Sequence, residues 1–272
     1  MKGPITSLQN PRIKDAIKLR RNRGRKSQKK ILIDGAREVL RALESGIDVL
    51  ELFVCGEVAV RGEARQALEI ARERHTELLY VTPAVFRKLA FGMREEGLMA
   101  VAARPRPNWP TLALPENPLV AVLEGVEKPG NLGGVLRTAD AVGAAVLVAD
   151  PATDLYSPHA VRASLGAIFH VPVAAAPSRE ILNWLRDRGM QVLAARVDGA
   201  IEYSDADLSG PTAIVLGNEA TGLSDTWRAK DIPAISLPML GRTDSLNVSV
   251  AAGVLLYEAH RQRRARTRAG AR

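Results

Sequence analysis

The chain is 272 residues long, 46% hydrophobic and 25% charged, a balance that excludes a disordered segment and leaves room for two folded domains. Its formal net charge is +8. No apolar run approaches the ~18–20 residues of a membrane span, and no apolar leader opens the chain, so a cytoplasmic protein without a membrane partner is expected.

In chain order, residues 1–30 come first, and they hold eleven Lys/Arg against one acid, Asp15. They predict a basic N-terminal arm. Ile31-Leu32-Ile33 reads as a short strand, and Gly35 to Leu43 has the apolar spacing of a helix that ends near Gly46. Val49 to Val54 reads as a second strand. Its neighbour Cys55 is the only cysteine; it has no internal disulfide partner and reads as structural. Glu63 to Arg74 is predicted helical, Leu78 to Val81 extended, Pro83 to Ala90 helical with proline in its first turn, and Leu98 to Ala102 extended. Residues 31–103 therefore predict a small alternating α/β domain. Pro105, Pro107, Pro110 and Pro115 follow, stiff and poor in helix, and place a linker over residues 104–117.

The pattern then restarts with longer apolar strands at Leu119 to Leu123, Ala145 to Ala149, Gln191 to Ala195 and Thr212 to Leu216. Helical segments lie among them at Leu132 to Val142, Pro158 to Leu165 and Arg179 to Arg188. Continuous apolar strands alternating with helices predict a mostly parallel sheet covered on both faces, over residues 118–264. Asn247 to about Arg263 is a last long helix, and residues 265–272 are a basic tail. Residues 261–272 contain six arginines and no acid, so positive charge concentrates at both ends of the chain. Basic ends suit a polyanion, because each neutralised phosphate releases condensed counterions; solubilising tails are the plainer explanation.

Three segments of the second half follow apolar strands or open helices. They are Pro129-Gly130-Asn131-Leu132-Gly133-Gly134-Val135-Leu136-Arg137-Thr138, Gly217-Asn218-Glu219-Ala220-Thr221-Gly222-Leu223, and Ile235-Ser236-Leu237-Pro238-Met239 with Asp244-Ser245-Leu246-Asn247-Val248-Ser249. In an open α/β sheet, ligands bind beyond the carboxyl ends of strands, so a site is expected where these segments meet. Their order and spacing resemble the SpoU (TrmH-like) family of SPOUT-class RNA 2′-O-ribose methyltransferases, through Asn-x-Gly-x-x-x-Arg, Gly-Asn-Glu-x-x-Gly-Leu and Ser-Leu-Asn-Val-Ser. Tyr156 to Ala167 also resembles the family's middle segment. The resemblance covers about residues 118–260. It implies a C-terminal domain with a trefoil knot, an exception to the rule that chains do not thread loops. Residues 31–103 more distantly resemble the substrate-binding domain that often precedes it.

The resemblance implies S-adenosyl-L-methionine as cofactor and a ribose 2′-hydroxyl as acceptor. Methyl transfer from a sulfonium is an in-line displacement whose demand is alignment of the attacking oxygen. The implied catalytic set is Arg137, Asn131, Glu219, Ser245 and Asn247. A guanidinium is ordinarily an obligate cation, so electrostatic stabilisation of the developing alkoxide, or alignment through a phosphate, is the physically safer role for Arg137 beside the family's general-base assignment. Taken alone, Arg137 reads as a surface residue pairing with Asp140, Asn131 as a cap of the following helix, and Ser245 and Asn247 as N-caps of the last one. Glu219, in a glycine-flanked loop, is suited to ordering the turn or holding Arg137.

The implied cofactor-binding positions are Gly217, Leu237 and Leu246, with Gly222 and Met239 as neighbours. In the family the adenosyl group is held by main-chain groups, so apolar residues serve as ligands; by composition alone both leucines read as core. No Gly-x-Gly-x-x-Gly follows either first strand, which argues against an oxidoreductase with an open nucleotide-binding fold. His75, His159, His170 and His260 have no zinc-like spacing, and no metal is expected. Trp109, Trp184 and Trp227 read as packing or rim residues.

The resemblance thus implies a homodimer that methylates a ribose in structured RNA, ribosomal RNA preferred and transfer RNA the alternative. The rival reading is a non-catalytic RNA-binding or ribosome-assembly factor with a vestigial methylase fold.

Overall fold

The computed structural model describes residues 3–56, 61–90, 96–106, 109–218 and 221–270. It divides into two compact units, Met1–Arg106 with Asp154–His170, and Pro107–Thr153 with Val171–Arg272.

The first unit opens with α1 (Pro11–Lys18), where Asn10 caps the helix by accepting from the Arg12 N–H and proline occupies the first turn. α2 (Asn22–Gln28) follows. These helices correct the expectation of a free arm over residues 1–30. Ile13, Ala16 and Leu19 recur every third residue and enter the core with Leu32, Phe53, Cys55, Phe86 and Met99. Arg25 is only 3% exposed. Its guanidinium donates to the carbonyls of Leu19 and Arg20 and to Asp154 Oδ2 at 2.7 Å, and Arg104 takes the other Asp154 oxygen at 3.0 Å. Part of the charge that suggested a solvated arm is therefore an internal clamp.

The unit continues with β1 (Lys30–Asp34), α3 (Ala36–Glu44), β2 (Val49–Val54), α4 (Gly62–Glu73), β3 (Glu77–Tyr80), α5 (Pro83–Leu89) and β4 (Leu98–Ala103). The strands form a sheet in the order β1-β4-β2-β3. β4 runs antiparallel to β1 and β2, while β3 runs parallel to β2. α3 buries Val39, Leu40, Ala42 and Leu43, the stripe its sequence predicts.

The second unit begins with a strap rather than a free linker. Trp109, Leu112 and Leu114 pack against its core, and the Trp184 indole N–H donates to the Pro110 carbonyl at 2.8 Å. β5 (Leu119–Glu124), α6 (Pro129–Val142) and β6 (Ala145–Ala149) follow. The chain then gives Asp154–His170, with α7 (Pro158–Ala163), to the first unit, correcting the single domain expected over 118–264. The reason is polar: besides the Asp154 pairs, Arg162 lies 3.6 Å from Asp34 and Arg41 donates to the Leu165 carbonyl at 2.7 Å. β7 (Val173–Ala176), α8 (Ser178–Asp187), β8 (Gln191–Ala195), β9 (Ile201–Glu202), β10 (Thr212–Leu216), β11 (Ala234–Ser236) and α9 (Val248–Gly270) complete the unit.

Its strands lie in the order β7-β6-β5-β10-β8-β11-β9, and every pairing is parallel. β5, β6 and β10 are buried along their whole length, as strands covered on both faces require. The expected tail does not start at 265, because α9 runs to Gly270. The helix is anchored by Arg263, which donates to the carbonyls of Asn117, Pro118, Leu208 and Gly210.

Candidate active site

Parallel pairing puts the carboxyl ends of β8, β10 and β11 on one edge, and a cavity of about 360 Å³ opens there. Ala195 and Leu216, the last residues of β8 and β10, form part of its wall. Gly217, Gly222, Leu237, Met239 and Leu246, the five expected cofactor-binding positions, all line it, as does Ser245.

The loop after β10 is folded tightly upon itself. A Cβ on Gly217 would stand 2.4 Å from the Gly222 carbonyl carbon and 2.7 Å from the Leu223 nitrogen, so only glycine fits. Gly222 has φ +68°, the left-handed region open to glycine, and its N–H donates to the Asn218 carbonyl at 2.8 Å. Asn218 Nδ2 in turn donates to the Gly125 carbonyl at 2.8 Å, tying the loop to the end of β5. Glu219 lies outside the described residues.

A second cluster joins α6 to α9. Asn247 Nδ2 donates to Asn131 Oδ1 at 3.1 Å, while Asn247 Oδ1 accepts from the Ser249 N–H and hydroxyl at 3.0 and 2.6 Å. Asn247 thus caps α9 and reaches α6 at once. Asn131 does not cap α6, which starts two residues earlier at Pro129, and Ser245 faces the cavity. A Cβ on Gly134 would stand 2.9 Å from the Ser249 Cβ; the missing side chain permits the close approach of the two helices. Arg137 is exposed on α6 and is not part of the cavity wall. Among the described residues it forms no ion pair, so the expected contact with Asp140 is not made.

Charged groups also border the cavity. Arg196 makes a two-pronged contact with Asp198, at 2.9 and 2.6 Å. That hydrogen bond holds the Asp198 carboxyl below the usual carboxylate range. Arg228 Nε donates to the Leu223 carbonyl at 3.0 Å and its side chain lines the cavity. Sequence reasoning missed Arg196, Asp198 and Arg228. The signal for the first two was available, since they follow the carboxyl end of a correctly placed strand, β8.

Residues 118–257 match the SpoU rRNA methylase family, and residues 10–100 match the MRM3-like substrate binding domain. The chain belongs to the SpoU rRNA methylase family. A 23S rRNA (uridine(2479)-2'-O)-methyltransferase of Streptomyces viridochromogenes is 33% identical over 270 residues, covering 95% of this chain and 92% of that one. A crystal structure of an RNA 2′-O ribose methyltransferase superposes with a TM-score of 0.84 at 41% identity, over 96% of this chain and 99% of that one. An AdoMet-bound rRNA methyltransferase from Sinorhizobium meliloti gives 0.85 at 29% identity, over 95% and 97% of the two chains.

The family match confirms the resemblance read from the three motifs, and the α/β fold with a parallel sheet preceded by a small domain agrees with the solved SpoU structures. The substrate-binding match begins at residue 10 rather than 31, consistent with α1 and α2 being integral to the first unit. Among the described residues no group of three or more His, Cys, Asp or Glu side chains is placed to hold a metal.

Proposed function

We propose that this SpoU-family protein transfers a methyl group from S-adenosyl-L-methionine to a ribose 2′-hydroxyl of ribosomal RNA, as a cytoplasmic homodimer with a knotted C-terminal domain. One observation carries the reading: five positions scattered from 217 to 246 line a single cavity at the strand ends. Its volume falls within the ~300–1,000 Å³ of ordinary small-molecule sites. Leu223, Ile235, Leu237 and Leu246 offer an apolar bed for an adenine, and Arg196, Asp198 and Arg228 offer charged partners for an amino-acid group. The residues present fit the cofactor.

When bound, the cofactor supplies an electrophilic methyl carbon. The chain holds the cavity open through the glycine-backed loop 217–223, while Asn247 and Asn131 set the start of α9 against α6. Arg137 contributes positive charge that stabilises the developing alkoxide or an adjacent phosphate and so lowers the barrier, while the 2′-hydroxyl proton is released to water as the oxygen is methylated. The ribosomal preference rests on relatives named as rRNA 2′-O-methyltransferases. The homodimer is supported by an apolar stripe on α9, Val250, Val254 and Tyr257, 37–54% exposed at helical spacing. Such a dimer gives Arg137, which stands outside the cavity wall, a route to the site from a second copy. The knot is supported by three separate segments lining one cavity, through Gly217 and Gly222, Leu237 and Met239, and Ser245 and Leu246.

The test is transfer of labelled methyl to purified ribosomal and transfer RNA, with nucleoside analysis of the product. Label as a 2′-O-methylnucleoside in ribosomal RNA is expected. Label in a base, or in transfer RNA alone, overturns the assigned acceptor, and absence of cofactor binding favours the non-catalytic alternative.

A further inference from the structure

The last residue of β5 is a glutamate at the end of an otherwise apolar strand, and Glu124 is only 7% exposed. Two carboxylate oxygens offer about four acceptor sites, and four donors reach them. Glu124 Oε2 accepts the Ser224 N–H at 2.7 Å. Oε1 accepts the Ser224 hydroxyl at 2.7 Å, the Trp227 indole N–H at 2.9 Å and the Ser178 hydroxyl at 2.8 Å. Three of the four donors come from the short turn immediately following Gly222 and Leu223, which line the cavity. Trp227 is fully buried and brings that turn into the core.

The neighbouring residue secures the other end of the same loop, through the Asn218 side chain on the Gly125 carbonyl. The carboxyl end of β5 therefore grips the loop at Asn218 and again at Ser224 and Trp227, on either side of the cavity-lining Gly222 and Leu223. A buried carboxylate that accepts from several donors is costly to disturb, because each donor stripped of its acceptor stays buried without a partner.

From this geometry we infer that Glu124 is a positioning residue for the cofactor, holding the 217–228 loop in the shape that closes the cavity, without touching the cofactor itself. The inference rests on the methyltransferase reading above. Asp150 belongs to the same polar cluster, since its carboxylate shares the single Ser178 hydroxyl proton with Glu124, but among the described residues it makes no hydrogen bond to the loop and serves as an internal control.

The experiment measures the affinity of the full-length protein for S-adenosyl-L-methionine by calorimetry, together with KM and kcat, for the wild type, Glu124→Gln, Ser224→Ala and Asp150→Asn. Glu124→Gln sets an amide NH₂ against donors and is expected to weaken cofactor binding at least tenfold, with kcat at saturating cofactor within about threefold of wild type. Ser224→Ala, which removes one donor and is the milder change should Glu124→Gln fold poorly, is expected to show the same split at smaller size. Asp150→Asn is expected to bind normally. Wild-type affinity in both loop variants overturns the inference, as does an equal loss in Asp150→Asn that follows thermal stability. Failure of the wild type itself to bind would instead overturn the functional reading.

Discussion

The side-chain amide of Asn247, the residue that opens α9, donates to Oδ1 of Asn131 in the first turn of α6 over 3.1 Å. The two residues are 116 positions apart, and what brings them together is the absence of a side chain at Gly134 opposite Ser249. Gly134→Ala is expected to force the helices apart at a cost of ~1–3 kcal/mol, the usual range for overpacking, measured as a fall in urea midpoint. Ser249→Gly in the same chain should recover part of that loss. An unchanged midpoint for the single variant would show that the contact is not tight in solution.

Arg137 is exposed and outside the cavity wall, so its removal should spare both fold and cofactor. Arg137→Ala is expected to keep wild-type thermal stability and cofactor affinity while single-turnover transfer falls by ~10²–10³ or more, the range for losing a charge-stabilising group. Turnover close to wild type would rule out the assigned role.

Because Ile13, Leu19 and Arg25 are integral to the first unit, deleting residues 1–30 should unfold that unit rather than strip away an arm. The exposed cations Arg21, Arg23, Lys26 and Lys29 are the informative targets. Replacing all four with glutamine should leave the circular dichroism spectrum intact and weaken RNA binding. For every phosphate that is no longer neutralised, the slope of log affinity against log salt should become shallower by ~0.7–0.9. An identical slope would mean that this face does not meet the RNA.

Arg263 holds four carbonyls from the stretches leading into β5 and β10. Arg263→Ala leaves those acceptors without their charged donor and should cost ~2–3 kcal/mol, the scale of hydrogen bonds to a charged group. Denaturant titration reads this directly; a change within error would mean that water replaces the guanidinium at no cost.

Burial pushes the Tyr156 phenol up to about 12, with Arg104 opposing and Asp154 reinforcing the shift. An unfolded tyrosine titrates near ~10. The folded state therefore retains a proton that the unfolded chain gives up, so the contribution is intact below pH ~10 and is lost as pH rises towards 12. Near-ultraviolet titration should show one of the four tyrosines ionising late, and Tyr156→Phe should remove that late phase.

Much of the second unit could be read without coordinates. β6, β8 and β10 begin and end at the residues expected of them, because a strand covered on both faces is mostly apolar while its flanking turns favour glycine or proline. The cofactor positions Gly217, Leu237 and Leu246 came from the family resemblance of their motifs, each of which is a local stretch of sequence. β7, β9 and β11 were not assigned as strands: two have only two or three residues, and a strand that short exists through its pairing partners rather than its own pattern.

What the sequence determined by itself was the set of segments that prefer to be strand, helix or turn, and the chemistry each could offer. Tertiary structure alone decided which charges are solvent-facing and which are internal, since Arg25 and Arg263 look like their exposed neighbours until a buried carboxylate or a cluster of carbonyls is placed opposite. It also decided that Asp154–His170 joins the first unit, and that Glu124 grips a loop a hundred residues away. The physical reason is common to all of these: a hydrogen bond or ion pair depends on distance in space, and for residues far apart along the chain the fold alone sets that distance.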